Sequence, residues 1–218
     1  MTTLSAGIVR LGAVAGILFA VLFFASSMFD PNPPSPDEPS AAIAAYMSDA
    51  DRNLDLITTL QVAAVFCLIV FVSSLRQVLR TGSSESDWLS SIAYGGGLVA
   101  AGVMLIGASF TLANKSIGNY GDDTQVAKML FAIQWDFAMV LAPAFGALVA
   151  ASAAAILRGA PLPRWVGWFS ILVAVLLLAP GFYWIGVLAT MVWVIVVGVT
   201  ILTGTLSGAR RRVAAQPG

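Results

Sequence analysis

Long apolar stretches separated by short polar ones make up most of this chain. Five runs, at residues 7–28, 54–75, 89–112, 129–157 and 182–205, are each bounded by charged or turn-forming residues. Each reaches the ~20 residues that a helix needs to cross the hydrocarbon of a bilayer. A sixth run needs an argument. Residues 163–178 number 16, about 24 Å of helix at 1.5 Å per residue. Ala179-Pro180-Gly181 follows and interrupts the helix before the last run. One helix over 165–205 would be about 60 Å long, twice the ~30 Å of hydrocarbon. Two antiparallel spans joined by a tight turn fit better. The pattern therefore predicts an all-α, polytopic membrane protein with six transmembrane helices in one domain over residues 1–218.

Composition agrees. Of 218 residues, 59% are apolar and only 10% charged, against roughly 25% charged in a soluble domain. The sequence contains no histidine, which removes His-ligated haem, most zinc sites and His-based triads. Cys67 is the single cysteine, so no intramolecular disulfide or Cys-x-x-Cys pair can form. No cofactor or metal set is expected.

The zero formal net charge is a cancellation between two faces. Arg10, Arg76, Arg80, Arg158, Arg164, Arg210, Arg211 and Arg212, eight of the eleven basic residues, flank one set of span ends. Arg52, Lys115 and Lys128 flank the other, together with Asp30, Asp37, Glu38, Asp49, Asp51, Asp55, Asp122 and Asp123. Only Glu85 and Asp87 lie among the arginines. Basic residues near span ends resist translocation, so both termini are expected to be cytoplasmic. A competing reading takes Arg10, the apolar residues that follow and Ala25-Ser26-Ser27 as a cleaved signal. It would leave five spans. The length of the run and its Gly12-x-x-x-Gly16 packing face favour a retained helix.

Residues 29–53 form a proline-rich acidic outer loop. Asp30-Pro31-Asn32-Pro33-Pro34-Ser35-Pro36 is expected to be extended and stiff. Residues 41–50, preceded by Ser40, read as a short amphipathic helix on the outer surface or as an extension of the second span. In the second outer loop, Gly118-Asn119-Tyr120-Gly121-Asp122-Asp123-Thr124 reads as a turn before a capped helix. The inner loops are too short to fold into a domain, so no nucleic-acid-binding module is present. Arg210-Arg211-Arg212 reads as a topology anchor, with anionic headgroups as an alternative contact.

Five residues form the candidate intramembrane polar site: Asp136, Gln134, Gln61, Arg52 and Asp55. A carboxylate in hydrocarbon is costly unless paired, hydrated or protonated, which makes Asp136 a proton or cation site if buried and a headgroup-level group if not. Arg52 or Gln61 satisfies Asp136 if the second and fourth spans are adjacent, with Gln134 adding a second polar group. Alternatively, Arg52 and Asp55 pair in the interface while Thr58 and Thr59 bond back to their own helix. Leu60-Gln61 and Ile133-Gln134 each begin a span entered from outside, a faint internal repeat. Ala138, Ala142, Gly146, Ala150 and Ala154, with Ala93, Gly97 and Ala101, recur every fourth residue and mark the fourth and third spans as close packers. Pro143 is expected to kink the fourth.

The order of an N-terminal span, an outer segment ending in Ile43-Ala44-Ala45-Tyr46, Arg52 six residues later and a second span resembles uncharacterised bacterial integral membrane proteins of unknown function. That resemblance implies a six-helix protein of the bacterial plasma membrane and carries no active site. The residues themselves point to a non-enzymatic interaction or scaffolding role. The alternative is a small proton- or cation-coupled transporter or channel using Asp136 in an outer-leaflet cavity. The expected partners are the lipid bilayer and a homo-oligomer or membrane partner on the Gly/Ala helix faces; the small-molecule ligand is unknown.

Overall fold

The computed structural model describes residues 6–29, 33–48, 53–80, 84–120, 124–179 and 181–214. Among them are seven helices and no strand: α1 (Ala6–Met28), α2 (Ser40–Ser48), α3 (Leu54–Leu79), α4 (Ser84–Tyr120), α5 (Thr124–Leu157), α6 (Arg164–Leu178) and α7 (Tyr183–Ala214). Helices suit these runs because a segment in hydrocarbon has to satisfy its own backbone. Five of them, α1, α3, α4, α5 and α7, hold a stretch long and apolar enough to cross a membrane. The sixth apolar helix, α6, has 15 residues, a rise of about 22 Å.

The long helices close a ring: α1 packs on α3, α3 on α4, α4 on α5, α5 on α6, α6 on α7 and α7 on α1, while α5 and α7 also meet across it. Neighbours run antiparallel. Going up α1, Gly12 meets Ser74 and Gly16 meets Phe71; on α6, Gly167 meets Leu157 and Leu178 lies by Gly146. The α6–α7 turn is as tight as the sequence suggests, with the Phe182 N–H donating to the Ala179 carbonyl at 3.1 Å. Gly181 there has φ +80°, a left-handed conformation open to glycine.

Each seam of the ring contains a glycine with no room for a methyl group. A Cβ on Gly12 would overlap Ser74, and one on Gly16 the Phe71 ring. On Gly97 it would lie 2.5 Å from Val72 Cγ1; on Gly96, 2.7 Å from the Leu148 nitrogen. On Gly167 it would lie 2.9 Å from Leu157, on Gly186 2.7 Å from the Leu177 backbone and on Gly198 2.9 Å from the Ala13 carbonyl oxygen. Lipid tails are as apolar as leucine, so these helices associate through close packing, and glycine sets how close they come.

Trp193 of α7 fills the centre and is fully buried. Its Nε1–H donates to Ser170 Oγ of α6 at 2.7 Å, and that hydroxyl donates to the Val166 carbonyl at 2.7 Å. Phe71 of α3 meets the indole edge to face, centroids 6.4 Å apart. One residue thus ties three helices together, with its polar atom satisfied.

The antiparallel order brings the arginine-bearing helix ends together. Arg158 Nη1 lies 2.6 Å from Glu85 Oε1, and Arg80 Nε 2.8 Å from Asp87 Oδ1. The two acids that stand among the arginines are therefore both paired. The Asp87 carboxylate holds the Arg80 guanidinium above its ordinary value by hydrogen bond and charge. Arg76 donates to Ser91 Oγ at 3.3 Å and lies 5.2 Å from the Tyr94 ring centre.

Three segments near the other end differ from the sequence expectation. Residues 35–38 form a turn, not an extended spacer, because the Glu38 N–H donates to the Ser35 carbonyl and the Ser35 N–H to the Glu38 carboxylate. Pro33 and Pro34, before the turn, are in no helix, and residues 30–32 lie outside the described residues. The short helix α2 turns its apolar side to protein: Ile43 is fully buried against Phe131, and Tyr46 packs on the same ring. It is also separate from α3, whose start is capped by Asn53 accepting from the Leu56 N–H at 3.0 Å. Finally, α4 stays helical through Gly118, Asn119 and Tyr120, where a turn was expected. No proline interrupts it, and the Ser116 hydroxyl bonds back to the Leu112 carbonyl at 3.2 Å.

Gly96→Ala is expected to lower the melting temperature in detergent, at a cost of about 1–3 kcal/mol from overpacking. Gly95→Ala, where a Cβ meets nothing within 4 Å, is expected to leave stability unchanged or raise it by up to ~1 kcal/mol through helix propensity. Ser170→Ala strands the Trp193 N–H in the core and is expected to cost about 1–3 kcal/mol in the same melts.

Candidate functional site

At the end of the ring opposite the arginines, the helix ends frame a hollow of about 190 Å³. Gln61, Leu54 and Ile57 of α3, Thr111 of α4, Gln134, Phe131 and Trp135 of α5, Trp184 of α7, Tyr46 of α2 and Pro33 line it. The walls are joined by ring contacts. Tyr46 packs on Phe131 at 6.0 Å, Phe131 on Trp135 at 6.1 Å and Trp135 on Trp184 at 6.3 Å, linking α2, α5 and α7. Lys128 fixes α2 in place by donating to the Glu38 carbonyl just before it at 2.8 Å.

Among the described residues, the polar side chains in this wall are uncharged. Gln134 Nε2 donates to Thr111 Oγ1 at 2.9 Å, and the threonine hydroxyl donates on to the Gly107 carbonyl at 3.3 Å. Gln61 stands about 10 Å down α3 from Leu54 by helix rise. Its half-buried carboxamide faces the hollow and makes no hydrogen bond among the described residues. An amide in an apolar setting gains from a partner, since leaving it unmade costs about 1–3 kcal/mol. The hollow thus offers one free carboxamide, able to donate and accept, between aromatic faces.

Of the residues singled out in the sequence, Gln61 and Gln134 come together here. The adjacency assumed for them is only partial: α3 and α5 lie across the ring with little contact, and α4 between them supplies Thr111 as the partner of Gln134. Asp136 stands on the exposed side of α5 and does not line the hollow. Two residues after Gln134, it is turned about 200° around the helix. Asp55 is exposed as well and borders a separate surface groove with Thr59, Phe66 and Cys67. Thr58 and Thr59 bond back to the Leu54 and Asp55 carbonyls at 2.8 and 2.7 Å, as the interfacial reading expects. Arg52 lies outside the described residues. Thr111, Tyr46, Trp135 and Trp184 were not among the candidates. Two signals pointed here: Gln61 and Gln134 as polar residues in apolar runs, and the Leu60-Gln61 and Ile133-Gln134 echo.

No family model, curated protein or solved structure matches the chain. What the fold and the hollow define is a class: an all-helical protein whose apolar helices are those of a membrane protein, with a neutral, aromatic-walled recess between its helix ends.

Asp136→Asn is expected to leave the melting temperature within the range of an ordinary surface substitution, about ±0.5 kcal/mol. Thr111→Val removes the acceptor of Gln134 inside the wall and is expected to cost about 1 kcal/mol or more in the same measurement.

Proposed function

We propose that the protein is a non-enzymatic, six-span protein of the bacterial plasma membrane with both termini in the cytoplasm. Its role is recognition: it takes a small uncharged molecule into the hollow at its outer face. The observation that carries this reading is the free Gln61 carboxamide set among the rings of Tyr46, Phe131, Trp135 and Trp184. Ligand sites are concave and mostly apolar, with a few convergent polar groups that fix orientation. Here those groups are amides and a hydroxyl, so a neutral planar ligand keeps its hydrogen bonds without the cost of burying a charge. The non-enzymatic reading draws on the absence of histidine and the single cysteine. A proton- or cation-coupled transporter working through Asp136 has weaker support, because that carboxylate stands on the exposed face of α5. Association with a second copy or another membrane protein is a further part of the proposed role. The α4 surface of Gly95, Val99, Gly102 and Ile106, open around both glycines and exposed at Val99 and Ile106, is suited to it.

For orientation, the arginine end is taken as cytoplasmic because eight of eleven basic residues belong to it. The residues of the 15-residue α6 reach across by means of the flanking turns, with Trp165 and Trp168 exposed near its start.

The test uses three probes of one shape: benzamide, benzoate and benzamidinium, titrated against the fluorescence of the protein in nanodiscs. Benzamide is expected to give a saturable change that is lost when Trp135 and Trp184 are both replaced by Phe. The charged probes are expected to bind at least tenfold more weakly, and Gln61→Leu to remove the preference for the amide. A response to benzoate or benzamidinium equal to that for benzamide, or no saturable response to any of the three, defeats the reading. Thiol-reactive labels on single-cysteine variants in a Cys67→Ser background, applied to intact cells, are expected to reach Ser35→Cys but not Ser83→Cys.

A further inference from the structure

A second concavity lies on the outside of the ring, along the seam between α5 and α6. It is a groove of about 630 Å³, distinct from the hollow. Ala150, Ala153, Ala154 and Ala174 form part of its lining, with Leu178 near one end and Arg158 at the other. Small side chains on both helices make the trough, because the seam is already drawn close by Gly167 against Leu157. Along α6 the lining runs from Ile171 to Ala179, a rise of about 12 Å. That is most of the ~15 Å depth of one hydrocarbon leaflet.

Charge is confined to one end. The Arg158 side chain is 57% exposed and uses Nη1 on Glu85 at 2.6 Å; a guanidinium has five N–H donors, so others remain for an anion. The first turn of α6 begins at the same end. Pro163 gives that turn no side-chain cap, and the exposed Arg164 opens it. The N-terminus of a helix carries partial positive charge, which adds to the two arginines. Exposed Trp165 and Trp168 stand within the first two turns of α6, and interfacial tryptophans mark the level where headgroups meet hydrocarbon.

We infer that the α5–α6 groove holds one phospholipid with an anionic headgroup. Its acyl chain lies along the alanine-lined trough, and its phosphate faces Arg158 and the first turn of α6. A carbon-lined trough about 12 Å long fits the upper part of an acyl chain, and a cationic end with an uncapped helix start fits a phosphate without a compensating cation. The inference rests on the membrane placement of the protein and not on the neutral hollow.

The experiment is native mass spectrometry of the purified full chain, equilibrated with an equal mixture of phosphatidylglycerol and phosphatidylcholine carrying identical acyl chains. The first retained lipid is expected to be phosphatidylglycerol by about fivefold, the effect of one basic residue near a headgroup. Arg158→Gln is expected to bring that ratio close to one while a lipid is still retained. Glu85→Gln breaks the same ion pair but leaves Arg158 free, and is expected to keep or raise the ratio. Ala154→Leu narrows the trough and is expected to reduce retention of both lipids several-fold. Equal retention of the two lipids by the unaltered protein overturns the inference, as does a preference that survives Arg158→Gln. A matching loss in Glu85→Gln shows that the ion pair and not the headgroup contact matters, and overturns it too. Gln61→Leu leaves lipid retention unchanged, so failure of the hollow and failure of the groove are told apart.

Discussion

The glycine contacts at the helix seams are the constraint on which this architecture depends. In water, apolar faces would be driven together whatever their detailed shape; in hydrocarbon that drive is absent, and association requires close contact between surfaces that fit. Gly12 and Gly16 against α3, Gly97 against Val72, Gly96 against the α5 backbone, Gly167 against Leu157, Gly186 against the α6 backbone and Gly198 against Ala13 supply that fit around the whole ring. Trp193 is the complement to these small residues. The closely spaced helices leave a central volume that one large side chain fills, and Ser170 satisfies the only polar atom it brings there.

The hollow follows from the same arrangement. At the end opposite the arginines, Phe131, Trp135 and Trp184 are drawn into a run of ring contacts with Tyr46. Rings cannot interleave as tightly as glycines, and the space they frame is left open. Of the polar groups that face it, Thr111 and Gln134 are locked across α4 and α5, whereas Gln61 makes no hydrogen bond among the described residues. Charge, by contrast, is kept to the periphery. Glu85 and Asp87 are paired with arginines at one end, and Asp55 and Asp136 stand on exposed faces. Among the described residues, an uncharged recess is thus set apart from charged groups at the periphery.

The helices themselves were written in the sequence. Apolar runs and their flanks gave the start of α1, α3 and α6 to within a residue, and Pro180-Gly181 marked the α6–α7 turn, because a helix in hydrocarbon leaves a composition signal that needs no partner. The segregation of arginine from acid was equally plain, since it is a property of order along the chain. Where pattern misled, the missing information was tertiary: Ser35 and Glu38 closed a turn within a proline-rich stretch, and α2 found Phe131 to cover Ile43 in place of a membrane surface.

The candidate site divides along the same line. Gln61 and Gln134 were legible as polar residues in apolar runs, and their matched positions after an outer segment hinted at a shared depth. Which way each side chain pointed was not legible. A difference of two residues turns a helix by about 200°, enough to send Gln134 to Thr111 and Asp136 outward, and the phase of a helix is set by its neighbours. Sequence by itself determined that this chain is a set of apolar helices with one basic and one acidic rim, because partition between water and hydrocarbon depends on composition. Only the tertiary structure decided which polar groups meet in a hollow, because that depends on which faces the glycines allow to touch.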